Sequence, residues 1–180
     1  MAYVKQTLAD WVAKNPDYNK YAGTTSGMPL IYQAKEGEPS LSAEEWFVWD
    51  WVTSTPDLSQ APAEADVSPT GVIVRRTIPT VPDAPSASDL TVYLGQDTDA
   101  AIDACEGIET DYQTAREAGQ TFYLANFLGL GKKSQIYAAS VAWSGTLNEV
   151  EFPEPQETTL TITPNLGAYN KWQVIDGAAG

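Results

Sequence analysis

The chain has 180 residues, with 24 acidic side chains against 10 basic ones and a formal net charge of −14. That length fits one domain with residues to spare for arms and long loops. It has no histidine and one cysteine, Cys105, which excludes histidine-based triads and metal sites, intramolecular disulfides and multi-cysteine clusters.

In chain order, Val4 to Lys14 (VKQTLADWVAK) places Val4, Leu8, Trp11 and Val12 at helical spacing, and Asn15-Pro16 stops the helix. The following stretch is rich in turn residues, and LIY at 30 to 32 predicts a short strand. Residues 1 to 35 thus read as an N-terminal helix and arm. They carry four lysines against two aspartates, a balance of +2, whereas residues 36 to 180 carry 22 acids against 6 bases, a balance of −16. A mildly basic end suits docking on the acidic body of another copy, and chance in a short segment explains the split equally well.

Residues 36 to 70 read as a Trp-rich segment and a projecting loop. In SLSAEEWFVWDWV, Ser42 and Glu45 have capping-box spacing, while Trp46, Phe47, Val48, Trp49, Trp51 and Val52 are residues that strands favour. Helix and strand both stand for 42 to 52. Trp46, Trp49 and Trp51 are candidates for a subunit interface or a sugar-stacking platform, with the domain's own core as the plain alternative. Residues 53 to 70 and 79 to 89 hold six of the twelve prolines and read as extended loops. Between them GVIVRRTI (71 to 78) predicts a strand, so this region projects.

From 71 to 175 the pattern is that of a β-sandwich or barrel with one flanking helix. LTVYL (90 to 94) is a strand. Over 97 to 118, Ala101, Ile102, Cys105, Ile108, Tyr112, Ala115 and Ala118 form the stripe of an amphipathic helix, with Gly107 weakening its middle and Gly119 as its stop. TFYLANFL (121 to 128), SQIYAASVAWSG (134 to 145), TLNEVEF (146 to 152), TTLTIT (158 to 163) and KWQVI (171 to 175) predict further strands. Residues 176 to 180 form a flexible tail.

Chemistry is scarce. The carboxylate pairs Asp99/Asp103 and Glu106/Glu109 share helix faces but read as a solvated acidic surface, and no cofactor or metal is expected. GLGKK (129 to 133) lacks the spacing of a phosphate loop and reads as a hairpin connection. Cys105 sits on the apolar stripe and reads as a core residue. A pI near 4.1 argues against a surface that grips nucleic acid. The start MAYVKQTLADW lacks the apolar stretch of a signal peptide and no run of 18 apolar residues occurs, so the expected place is the cytoplasm or a particle assembled there, away from membranes.

The order of parts is informative. A strand, the helix DTDAAIDACEGIETDYQTAREAG, the strand TFYLANFL, the pair SQIYAASVAWSG and TLNEVEF, then TTLTIT and a closing strand resembles the major tail tube proteins of long-tailed (siphovirus-type) bacteriophages. The resemblance implies a β-sandwich with one flanking helix and a virion structural protein without enzymatic activity. It implies six subunits per ring, rings stacked into a tube, other tail proteins as partners, and DNA passing through without tight binding. Six copies at −14 carry −84 per ring, and like charge along a channel keeps DNA off its wall. Asp97, Asp99, Asp103, Glu106, Glu149 and Glu151 are the candidates for the channel lining. The alternatives are another virion component (a head-tail connector or decoration protein), a carbohydrate-binding β-sandwich using the three tryptophans, and a carboxylate-only enzyme.

Overall fold

The computed structural model describes residues 5–15, 30–49, 54–60, 62–71, 74, 76–94 and 98–175. The N-terminal helix starts later than its periodicity suggests. Residues Lys5–Thr7 form a short strand, β1, and the helix α1 spans Leu8–Lys14. Thr7 is extended (φ −69°, ψ 149°) and its hydroxyl accepts a hydrogen bond from Asp10 N–H at 3.2 Å, so it caps the first turn. Asn15 ends the helix, with its N–H on the carbonyls of Trp11 and Val12.

Seven strands form one antiparallel sheet. In spatial order they are β1, β3 (Glu45–Trp49), β2 (Leu30–Lys35), β7 (Thr121–Asn126), β8 (Lys133–Leu147), β9 (Glu157–Val174) and β6 (Ser88–Tyr93). A separate two-stranded ribbon pairs β4 (Ala63–Asp66) with β5 (Thr77–Thr80). The chain is mainly β with one long flanking helix, as expected. The large sheet is open: among the described residues β1 and β6 do not pair, so no barrel closes.

Several sequence expectations need correction. The boundary at residue 71 does not divide the fold, because β2 and β3 sit inside the large sheet, with Leu30 opposite Asn126 and Lys35 opposite Thr121. The strand expected over 71 to 78 is displaced to Thr77–Thr80, where it pairs with Ala63–Asp66; Gly71 and Val74 belong to the turn between them, and 72, 73 and 75 lie outside the described residues. Strand preference alone does not place a strand; the register available to it does. TLNEVEF is no separate strand: β8 runs on to Leu147 and a connection follows. TTLTIT and KWQVI are the two ends of one strand, β9, interrupted by an irregularity opposite Tyr137/Ala138. The tail 176 to 180 lies outside the described residues.

Both faces of the sheet are covered. On one lies the helix α2 (Thr98–Glu117), which buries Ala104, Cys105, Ile108 and Ala115 against Leu30, Tyr32, Leu124, Tyr137 and Ile162. Gly107 does not interrupt it. Its end is a Schellman turn: Gly119, at φ 71°, donates to Arg116 O (3.2 Å), and Gln120 N–H donates to Ala115 O (2.9 Å). On the opposite face Leu8 and Val12 of α1, Leu41 and Ile175 cover Ile31, Trp46, Tyr123 and Ile136. Trp46 on β3 and Ile136 on β8 share that cluster across two intervening strands.

Candidate assembly surfaces

Trp46 and Trp49 are both fully buried. They alternate across β3, Trp46 into the cluster under α1 and Trp49 into the cluster under α2, and Trp46 donates its indole N–H to Ser40 O at 3.0 Å. Neither ring can meet a sugar or a neighbouring subunit, which corrects their assignment as interface candidates. The sheet is buried on both faces here, and large rings fill both. Trp51 lies outside the described residues.

The acidic candidates Asp99, Asp103, Glu106, Glu149 and Glu151 are all exposed, and Asp97 lies outside the described residues. They belong to two segments, α2 and the β8–β9 connection, which leave the same end of the sheet. Leu94 N–H donates to Gln156 O at 3.0 Å, and α2 begins four residues after Leu94. The helix's macrodipole favours the acids in its first turns.

Cys105 is fully buried on α2, and burial, with Glu106 nearby, pushes its thiol up to about 12. A thiol held neutral is a poor nucleophile, in keeping with a packing role. Burial likewise raises the phenol of Tyr137. The GLGKK segment is the β7–β8 connection, with Gly129 and Gly131 at positive φ and Gly131 N–H on Ile175 O at 2.8 Å. Among the described residues no group of three acidic or thiol side chains is placed to hold a metal, and no helix is long and apolar enough to cross a membrane.

The surfaces suited to assembly lie elsewhere. Residues 54 to 87 leave the sheet and return to it, anchored at the base by buried Pro56 and Pro85, by Leu58 against the core, and by Asp57 N–H on Ser88 Oγ at 3.1 Å. Beyond that base, among the described residues, the β4–β5 ribbon pairs only with itself, and Val67, Val74, Ile78 and Val81 are exposed on or beside it. Among the described residues strand edges are also open: β9 has a β6 neighbour only from Glu157 to Ile162, and β8 has a β7 neighbour only from Ile136 to Ala138. Trp172 and Val174 are exposed on the unflanked part of β9. Tyr93, Leu147 and Phe152 are exposed at the end where the acidic segments meet.

The turn from 36 to 44 is fixed against this scaffold. Glu44 pairs with Lys35 and accepts from Gln33 Nε2 (2.9 Å) and Ser40 N–H (3.0 Å). Burial pushes its carboxyl up, but the Lys35, Ser40 and Gln33 hydrogen bonds and the Lys35 charge outweigh that and hold it below its ordinary value. Lys171 pairs with Glu38, and Gln173 donates to Pro39 O (2.8 Å) while accepting from Leu41 N–H (3.1 Å). The turn thereby straps β9 to the β2–β3 hairpin.

Sequence reasoning placed the acids on the surface and missed the exposed aromatics. Phe152 carried a signal, since the glutamates and prolines around it (EVEFPEP) leave only Val150 as an apolar neighbour with which to enter a core. A scan against protein families gives no match, and neither does a search of curated proteins. Among solved structures the chain is similar to a chain of the anti-feeding prophage (AFP) baseplate, determined by cryo-EM with 6-fold symmetrisation, at 7% sequence identity and a TM-score of 0.48, over 85% of this chain and 96% of that one.

Proposed function

We propose that this chain is a structural subunit of a phage-tail-like particle, assembling with copies of itself into stacked rings of six that form a tube for DNA, and that it has no catalytic role. The observation that carries the reading is the β4–β5 ribbon. Every described residue of its two strands is exposed or half-exposed, and a two-stranded hairpin standing alone in water is marginally stable. A second subunit that covers Val67, Ile78 and Val81 supplies the burial the ribbon lacks. The open edges of β8 and β9 support the same reading, because unpaired strand edges are templates for another chain. The order β6, α2, β7 also follows the first part of the pattern on which the resemblance to tail tube proteins rests, while β8 and β9 stand where four strands were expected. A carbohydrate-binding reading loses two of its three rings now that Trp46 and Trp49 lie in the core.

The test is light scattering with negative-stain imaging on the full chain and on a variant in which residues 62 to 80 are replaced by a short Gly-Ser link. The full chain is expected to form rings or tubes as its concentration rises, and the variant to stay folded and monomeric. A full chain that remains monomeric throughout overturns the reading. A variant that assembles like the full chain removes the ribbon from it.

A further inference from the structure

Beside the C-terminus of α2 lies an open hollow of about 330 Å³. Tyr112 and Phe122 form an aromatic wall, with ring centroids 5.6 Å apart at 85°, and small residues such as Ala139 and Ala168 line it together with the polar Gln120, Ser140 and Asn165. Arg116 stands on its rim, exposed, with no side-chain hydrogen bond or ion pair among the described residues. The volume is at the small end of ligand pockets, about 300–1,000 Å³, which suits one inserted side chain and its flanks.

At the other end of α2 the β8–β9 connection presents Phe152, 99% exposed, between the exposed Glu151 and Glu154. The connection is tied down on either side of the ring. Asn148 N–H donates to Glu157 O (2.9 Å), Asn148 and Thr159 exchange side-chain hydrogen bonds (2.9 and 3.0 Å), and Glu154 N–H donates to Glu151 O (2.7 Å). A ring displayed on a braced turn loses little freedom when it docks.

We propose that Phe152 of one copy seats in the hollow of a second copy, with Glu151 and Glu154 against Arg116. The inference rests on the self-assembly reading and names one of its contacts. Knob and hollow cannot meet within a chain, because the 20-residue helix between them spans about 30 Å. Charge selects the site: residues 36 to 180 carry 22 acids against 6 bases, so an acidic knob is repelled by most of this surface and drawn to the rare cation beside an aromatic-walled hollow. Because knob and hollow are different patches, the contact is head-to-tail, the kind that builds rings or open stacks.

The test uses full chains. Phe152→Ala and Arg116→Glu are each expected to weaken self-association about tenfold or more, as for a central interface residue, measured by sedimentation at low salt, with an unchanged thermal midpoint because both side chains are exposed. Arg116→Glu combined with Glu151→Lys and Glu154→Lys is expected to restore association. Directly, a Phe152→Cys chain mixed with an Ala168→Cys chain is expected to form a disulfide-linked heterodimer beyond that of either chain alone, with buried Cys105 silent. If the wild type assembles while both single variants assemble equally well, or the heterodimer fails to form, this contact is wrong and the assembly reading stands. If the wild type stays monomeric and no cross-link forms, both fall.

Discussion

The phenol of Tyr32, on β2 in the middle of the sheet, donates a 2.8 Å hydrogen bond to Oδ2 of Asp111 on α2. This links the longest helix to the strand most distant from it in sequence among those it covers. Tyr32 is itself clamped between Phe47 and Phe122, stacked at 5.0 and 5.1 Å. Asp111 therefore works inward, unlike the exposed acids of the same helix. Tyr32→Phe keeps the stacking and leaves the half-buried carboxylate without this donor, so it is expected to cost about 1–2 kcal/mol in urea denaturation. A loss below about 0.3 kcal/mol would mean that the stacking alone holds the helix in place.

Cys105 offers a second check. Native protein at pH 8 is expected to leave the thiol unlabelled by a bulky maleimide until it is unfolded. Cys105→Ser, which buries a hydroxyl, is expected to cost about 1–3 kcal/mol. The folded thiol titrates near 12, above the ordinary value of 9.0, so its contribution to stability is complete below about 9 and is lost as pH rises from there toward 12. Denaturation midpoints across that alkaline range measure it, against Cys105→Ala as the reference.

Glu44 behaves in the opposite sense. Its carboxyl is lowered from 4.5, so its contribution is present above that pH and falls as acid protonates the folded state. Glu44→Gln is expected to flatten the stability profile below about pH 5 and to cost about 1 kcal/mol at neutral pH, the small size reflecting a partly exposed ion pair. An unchanged acid profile would assign the strap at 36 to 44 to the Gln173 bonds instead.

If the chain forms the proposed tube, the exposed acids of α2 and of the β8–β9 connection are the ones to test for keeping DNA off its wall. Replacing Asp99, Asp103, Glu106 and Glu149 with lysine moves the chain from −14 to −6. Assembled variant is expected to co-sediment with duplex DNA at low salt and release it as salt rises past about 0.1 M, where the Debye length is about 10 Å. Wild-type assemblies are expected to leave DNA in the supernatant. Intact tubes of the variant that ignore DNA would put these acids on the outside.

Where one face of an element meets solvent, the sequence was readable. Ala101, Cys105, Ile108 and Ala115 repeat at helical spacing because the other side of α2 is wet, and Gly119 marks its end through a backbone angle that side chains rarely adopt. Around Trp46 to Trp49 this logic fails, since a strand buried on both faces shows an unbroken apolar run that alternation cannot sort. The split of β9 has another cause. Pro164 and Gly167 break the strand pattern in sequence, yet Pro164 stays in register with Ala139 just past Ser88↔Ile162, the last β6 pair, where a missing donor leaves no β6 bond unmade, and the irregularity follows Asn165. The knob at Phe152 and the hollow beside Arg116 were illegible as a pair, because only the folded helix sets them at opposite ends.

The pairing of β2 with β7 also governs when the protein can be finished. Leu30 must wait for Asn126, whereas β8 and β9 are neighbours along the chain and β7 directly precedes them. Such long-range closure is slow, since loop entropy is lost before the contact returns anything. On the ribosome β1, β2 and β3 can pair with one another, but the other edge of β2 stays open, and the N-terminal strands join the rest of the sheet only after β7 has appeared. Nascent chains truncated before residue 121 should therefore be sticky and protease-sensitive, and the large sheet closes only once β7 to β9 are available.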